Sequence, residues 1–398
     1  MFKHISKTVW ILSLVSLLND TSSEMLYPII PLYLKEIGYT VFIIGLLEGI
    51  TECIAGFTKI YTGSLSDTYQ RRLPFVQIGY SLSAISRLLM GLFTQLGLIF
   101  TARSIDRIGK GIRGSARDAL LSDEAQPETM TQVFGFHRSM DTIGAIIGPI
   151  IALLFLHFYP KHYKEIFFIA FIPGLISIFL TLFIKEKIKT KKIESTQKII
   201  FHFSYLKRAP KTYLAFIGIL FIFTLVNSSD MFLLLKAKET LQDDTNVLYL
   251  YIFFNFVYAL FSYPIGILAD RFKKEYFLIL GLIIYALSYF LFAYMHSLLL
   301  LILAFSMYGL FYACTQGVIK SILVAFVPKQ EKASAIGFYE GITSILLLLA
   351  NALGGLLYYQ LGSQFLFVTI SLLSFICAFL LFLFFKKNQN QANTSTTV

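Results

Sequence analysis

Charged residues are scarce in this chain, at 14% of 398 positions, and there are only three cysteines, six histidines and one tryptophan. A soluble domain carries about 25% charged residues, so this composition excludes an ordinary soluble fold. Cys53, Cys314 and Cys377 stand far apart. That spacing excludes a disulfide framework and a cysteine metal cluster. The histidines are scattered, with no pair at ligand spacing on one helix, so no metal site is expected. No Gly-Lys-Ser/Thr phosphate loop occurs, which leaves direct ATP drive unsupported, and no cofactor is called for. A cleavable signal is not expected either: the first hydrophobic stretch is long, polar at its middle and without a small-residue cleavage site.

Apolar residues are plentiful instead, at 56%, with 16% aromatic and a mean hydropathy of +0.70. Twelve apolar segments can be read, each long enough to cross about 30 Å of hydrocarbon. In the first half they run approximately over 8–33, 41–65, 74–95, 97–119, 132–158 and 164–184. In the second they run over 212–236, 246–269, 276–295, 297–327, 334–360 and 362–385. The runs are continuous rather than alternating, which argues for helices and against barrel strands. The expected fold class is therefore an all-α polytopic membrane protein of about twelve transmembrane helices in two six-helix bundles.

The chain also repeats itself. Ser22-Ser23-Glu24-Met25 returns as Ser228-Ser229-Asp230-Met231, Gly63 to Asp67 returns as Gly266 to Asp270, and Gly135-Phe136 returns as Gly337-Phe338. The offsets are 206, 203 and 202 residues, so each half is one module. The expected organisation is a bundle over 1–184, a basic linker over 185–211, a second bundle over 212–387 and a disordered polar tail over 388–398. Basic residues mark one side: Lys3 and Lys7, Arg71 and Arg72, the linker with nine Lys/Arg against two Glu, Arg271 to Lys274, and Lys386 and Lys387. The positive-inside rule puts that side, with both termini, in the cytoplasm of a cell whose plasma membrane holds the protein (the inner membrane in a Gram-negative cell). The net charge of +11 is thereby explained without nucleic acid. Anionic-lipid regulation by the linker is the less favoured alternative.

Several spans carry charge at depth. In the fourth, Arg103, Arg107, Lys110, Arg113 and Arg117 are spaced by four, three, three and four residues and share a face, with Asp106 beside them and Asp118 beyond. A charge near the bilayer centre costs about 2.5–3.5 kcal/mol on insertion scales, so this face should meet a watery cavity or acids, not lipid. Arg113, Arg117 and Asp118 are expected to form a cytoplasmic latch with Asp67; for Arg103 and Arg107 a cavity role and a structural one stay open. The first span holds Asn19, Asp20 and Glu24, then Pro28 and Pro31, which should bend its outer half. Two unpaired carboxylates there would cost about 5–7 kcal/mol, which calls for cationic partners or for protons. A static ion pair, such as Asp20 with Arg107, is the competing reading. Glu48 and Glu52 in the second span, Asp141 in the fifth, and Asn227, Asp230, Asn255 and Gln316 in the second half complete the candidate solute-binding set. In the repeat register Asp118 corresponds to Lys320 and Arg138 to Glu340.

Gly63-Ser-Leu-Ser-Asp67-Thr-Tyr-Gln-Arg71-Arg72 resembles the signature loop of the major facilitator superfamily, although Gln70 stands where the family has Gly. The partial copy ending at Asp270 falls where the family has its second-half echo. Arg107-Ile-Gly-Lys110-Gly111 resembles the family's helix-4 motif, whose Arg is associated with proton coupling. Gly144 to Pro149 resembles part of the helix-5 motif of drug–proton antiporters, without the Gly pair that should follow. The resemblance implies a secondary carrier working by alternating access, with Gly63, Asp67, Arg71, Arg72, Arg113, Arg117 and Asp270 serving the signature loop and its echo. Proton coupling is expected at Asp20, Glu24, Asp106 and Arg107, with Na⁺ as the other candidate ion. The partners are a small-molecule solute, protons and the lipid bilayer, and a monomer is expected. Proton-coupled export of a drug-like or metabolite compound is the leading expectation; uptake of an anionic solute, such as an organic acid or metal chelate, is the alternative. A membrane enzyme or a non-transporting sensor finds no matching residue set, and no enzyme activity is expected.

Overall fold

The computed structural model describes residues 5–27, 29–39, 41–186, 203–227, 230–241, 244–295 and 297–395, and no strand occurs among them. The first half comprises α1 (Lys7–Leu26), α2 (Ile29–Glu36), α3 (Val41–Tyr69), α4 (Leu73–Leu92), α5 (Leu96–Glu124), α6 (Met130–Phe158) and α7 (Tyr163–Thr181). A short α8 (Phe203–Arg208) precedes the second half. That half comprises α9 (Lys211–Val226), α10 (Asp230–Leu241), α11 (Asp244–Arg271), α12 (Lys274–Tyr294), α13 (Leu298–Ala325) and α14 (Lys332–Ser395).

Six crossings per half result. The first crossing is broken between Leu26 and Ile29, next to Pro28, which itself lies outside the described residues. The seventh breaks in the same way between Val226 and Asp230, at the repeat of that segment. Sixty-four residues of helix would be about 96 Å long, three times a bilayer core. Gly362, at φ +84°, interrupts α14 and turns it into two consecutive spans. The helix then continues to Ser395, so the tail expected to be disordered is helical as far as it is described. Local chemistry starts several helices: the Ser6 hydroxyl accepts the Val9 amide at 3.2 Å, and Glu186 takes the Arg72 and Leu73 amides at the start of α4 at 2.6 and 3.1 Å.

Seven helices among the described residues are long and apolar enough to cross a membrane on composition alone. Those left out include α1, α3 and α5, whose charged residues line the interior. The cores reflect this difference. One continuous apolar cluster fills the second half, from Tyr213 through Tyr285 and Phe311 to Phe385. In the first half the core is split, one cluster around Val9, Leu12, Tyr80 and Leu120, the other around Met25, Met90, Ile99 and Phe167. Between them lies a polar layer holding Asn19, Asp20, Arg87 and Arg103.

The halves are joined by two equivalent crossings, α3 on α14 and α6 on α11. The repeated glycines are what let them close. A Cβ on Gly63 would strike the Ala333 carbonyl and stand 3.3 Å from the Gly337 Cα. A Cβ on Gly135 would strike the Ser262 carbonyl and stand 3.4 Å from the Gly266 Cα. At the same end Asp67 accepts the Ala333 and Ser334 amides at 3.3 and 2.6 Å, and Asp270 accepts those of Thr131 and Gln132 at 3.1 and 2.7 Å. Each carboxylate therefore caps the first turn of a helix from the opposite half, where the helix dipole favours negative charge. The signature-loop end is shut.

Candidate functional site

A cavity of about 440 Å³ lies between the halves. Its lining extends from Arg117 and Lys320, deep in the protein, to Tyr27 and Leu347; Tyr27 is exposed. The five cations of α5 all face it, as the three- and four-residue spacing requires. Among the described residues that line the cavity, eight Lys or Arg meet six Asp or Glu, so positive charge is in excess there. Two of the α5 cations reach acids on the lining: Arg103 reaches Asp106 at 3.9 Å, and Arg107 reaches Glu52 at 3.5 Å. Lys110 is exposed to the cavity and has no ion pair within 4 Å among the described residues.

The floor is a connected network. Lys320 from α13 bonds Asp118 of α5 and reaches Glu340 of α14 at 2.9 Å, while Arg117 holds Asp118 at 3.1 Å. Lys59 of α3 approaches Glu340 at 3.9 Å. Under a two-fold relation between repeats, equivalent residues meet only near the axis. The contact of Asp118 with its counterpart Lys320 therefore puts that axis through the cavity floor. A second chain of bonds leads sideways: Arg117 donates to the Ser16 hydroxyl at 3.1 Å, Ser16 to Asp141 at 2.5 Å, and Arg138 to Asp141 at 2.6 Å and also to the Tyr258 hydroxyl. A smaller cavity of about 180 Å³ opens there, and Asp20, Glu24, Arg138 and Asp141 line both spaces. Asp20 shares a side-chain hydrogen bond with Asp141, stands near Glu24, and accepts the Asn19 side-chain amide at 3.4 Å. Neither Asp20 nor Glu24 has a cation within 4 Å among the described residues.

The candidate residues therefore divide. Asp20, Glu24, Glu52, Arg103, Asp106, Arg107, Asp141 and Gln316 come together on the larger cavity, and Asp230 and Asn255 join them from the smaller one. The expected static pair of Asp20 with Arg107 does not form; Arg107 sits against Glu52 instead. Asn19 is buried beneath the lining and accepts the Arg87 guanidinium at 2.9 Å. Asn227 terminates α9 and accepts the Tyr285 hydroxyl at 2.8 Å, away from both spaces, because it occupies the break in the seventh crossing. The side chain of Glu48 lies outside the described residues.

The expected latch is corrected as well. Asp67 pairs with Arg72 at 2.5 Å and with the amides of α14, whereas Arg113 bonds Ser83 at 2.6 Å and stacks on Tyr80, and Arg117 and Asp118 belong to the floor. Their depth along α5, several turns from the loop, rules the latch out. Arg71 is exposed and contributes its main-chain carbonyl to Ser66, so Arg72 alone anchors the turn. Gln70 takes the left-handed conformation at φ +51° that a Gly would adopt, and its side chain bonds the Asp67 carbonyl at 2.6 Å. Gly144 and Gly148 pack α6 against the main chain of α1, at Leu17 and Thr21, so close helix contact accounts for the helix-5 fragment.

Three functional-looking residues were missed. Arg87 and His137 are buried, and one ring or guanidinium nitrogen of each lacks a partner among the described residues. Ser16 bridges two charged groups. Arg87 alone had a readable signal, as the single charge in an apolar span.

The Major Facilitator Superfamily model matches residues 12–255 and again 234–397, which together span nearly the whole chain. The chain belongs to the major facilitator superfamily. It is 36% identical over 386 residues to an uncharacterised MFS-type transporter of Methanocaldococcus jannaschii, covering 95% of each chain. It is 26% identical over 150 residues to the class H tetracycline resistance protein of Pasteurella multocida, 37% of each. Among solved structures, the Escherichia coli fucose:proton symporter superposes with a TM-score of 0.78 at 13% identity, over 94% of this chain and 97% of that one. The human organic anion transporter MFSD10 does so with 0.76 at 16% identity, over 94% and 98%. At such identities these structures show the shared fold. This superfamily member is thus a multi-pass membrane transporter, built from two six-helix bundles around a charge-lined cavity.

Proposed function

We propose that the protein is a secondary carrier of a small anionic solute, coupled to protons and working by alternating access. The observation that carries this reading is Lys110: an exposed cation in a cavity with more positive than negative groups, with no ion-pair partner among the described residues. A charge at that depth is costly unless something compensates it, and a solute anion would do so. A drug-like lipophilic compound fits this polar lining poorly. Export of such compounds, the leading expectation from sequence, keeps its support in the resistance-protein relative, which spans little more than a third of the chain.

Coupling would follow from the same cavity. Glu24 faces Lys110, Arg107 and Arg138 at a distance rather than in contact. An anion engaging Lys110 withdraws that compensation, and a proton on Glu24 or Asp20 restores neutrality. Anion and proton would then travel together, which is symport. In the alternating cycle residues 1–184 and 212–387 are the two rocking bodies, with 185–211 as their tether. The positive-inside rule places the signature-loop end and both termini at the cytoplasmic face of the plasma membrane, so the described state would be open to the outside. The test is proton uptake by proteoliposomes holding the purified monomer, challenged with a panel of small carboxylates, phosphates and sulfonates. At least one anion should drive proton entry that is lost in Lys110→Gln and uncoupled in Asp20→Asn/Glu24→Gln. Proton release driven by lipophilic cations, with no response to any anion, would restore the export reading.

A further inference from the structure

The two connected spaces are electrically opposite. The larger is rich in cations, whereas the smaller is lined by four carboxylates, Asp20, Glu24, Asp141 and Asp230, against one guanidinium, Arg138. Arg138 is already committed to Asp141 at 2.6 Å, which leaves three carboxylates without a cation in contact among the described residues. An acidic cluster alone would mean little, but aromatic rings line the same space. Tyr251, Phe254, Tyr258 and Tyr312 line it, with ring centroids 5.7 Å apart for Phe254 and Tyr312 and 5.2 Å for Tyr258 and Tyr312. These rings accept cations, since the Arg138 guanidinium lies 5.2 Å from the centre of the Tyr258 ring.

Two polar groups border the rings. The Tyr308 and Tyr312 hydroxyls both donate to Oδ1 of Asp230, so this carboxylate stands on the aromatic side of the space. Asn255 is 6% exposed and donates to the Tyr251 carbonyl at 3.0 Å. Carboxylates and π faces around about 180 Å³ make a seat for an ammonium group.

We propose that the smaller cavity is an ammonium subsite, so that the carried solute is a zwitterion, with its anionic end at Lys110 and its amine between Asp230 and the aromatic wall. This rests on the anion-carrier reading for the anionic end only; the amine seat stands on its own geometry.

The experiment is calorimetric titration of the purified full-length protein with three probe sets. These are propylammonium, a series of ω-amino acids (glycine, β-alanine, γ-aminobutyrate, ε-aminocaproate), and the matching carboxylates that lack the amine. Propylammonium should bind, and Asp230→Asn and Phe254→Leu should each weaken it about tenfold. At least one amino acid should bind about tenfold more tightly than its des-amino partner, and Asp230→Asn should erase that preference without changing carboxylate affinity. Lys110→Gln should weaken carboxylates and leave propylammonium unchanged. Propylammonium that fails to bind, or binds both variants as tightly as the parent, overturns the subsite. If carboxylates still bind in a Lys110-dependent way, the anion-carrier reading survives that failure. Propylammonium binding without any carboxylate binding would keep the amine seat and remove the zwitterion.

Discussion

Replacing Gly63 with Ala should open the signature-loop end. The added Cβ would overlap the Ala333 carbonyl and crowd the Gly337 Cα at 3.3 Å, and both are main chain, so neither can rotate away. Overpacking of this kind costs about 1–3 kcal/mol. The cost falls on the closed state alone, because separating the halves removes the contact. The closed-to-open ratio should therefore drop by about 5- to 150-fold. Electron–electron distance measurements between spin labels at Thr68→Cys and Lys329→Cys, both exposed at this end, read the ratio directly once Cys53, Cys314 and Cys377 are replaced by Ser. A longer-distance population should appear or grow in Gly63→Ala, and equally in the equivalent Gly266→Ala. Gly218→Ala, whose Cβ would meet nothing within 4 Å, serves as the control and should change nothing. A folded Gly63→Ala protein with an unaltered distance distribution would refute the idea that these glycine contacts hold the end shut.

Four further outcomes are expected. Asp118→Asn and Lys320→Met should each destabilise the detergent-solubilised protein by about 3–5 kcal/mol, and the double variant by much less than the sum, as thermal unfolding will show. Asp67→Asn and Asp270→Asn each weaken a charge-assisted helix cap, so each should shift the spin-label distances in the same direction, by about 0.5–2 kcal/mol of population. Equal effects are expected from the two, given their equivalent bonding. Arg87→Met strands Asn19 and removes a buried charge; solute-driven proton uptake should fall while the helical content by circular dichroism is kept. Gly362→Ala should cost about 1–3 kcal/mol through backbone strain alone, since nothing crowds its Cβ, and thermal unfolding measures it.

Much of the architecture was legible because its causes are local. Continuous apolar runs of bilayer length report helices, and the recurrence of Gly63 and Asp67 as Gly266 and Asp270 reports the duplication. The cationic face of α5 followed from spacing alone. What spacing could not show was depth and partner. Arg113 and Arg117 share a face with Arg103, but their distance from the loop depends on how far α5 runs, so the latch with Asp67 was misplaced. Asn227 and Asn255 look alike in sequence; Asn227 falls where the seventh crossing is interrupted, whereas Asn255 sits inside α11 and lines the smaller cavity. The Asp118–Lys320 contact required the two-fold relation, although the repeat register already paired those two positions. Gly144 and Gly148 are legible both as a motif fragment and as close packing, and the Leu17 and Thr21 contacts decide for packing.

Access to Lys110 is the most direct test of a hydrated, alternately exposed cavity. A Lys110→Cys variant without the three native cysteines should react with a membrane-impermeant thiol reagent from one face of sealed vesicles. Gly63→Ala in the same background should shift that reactivity toward the other face. A thiol at this position that stays unreactive from both faces, in folded protein and in both backgrounds, would contradict the account.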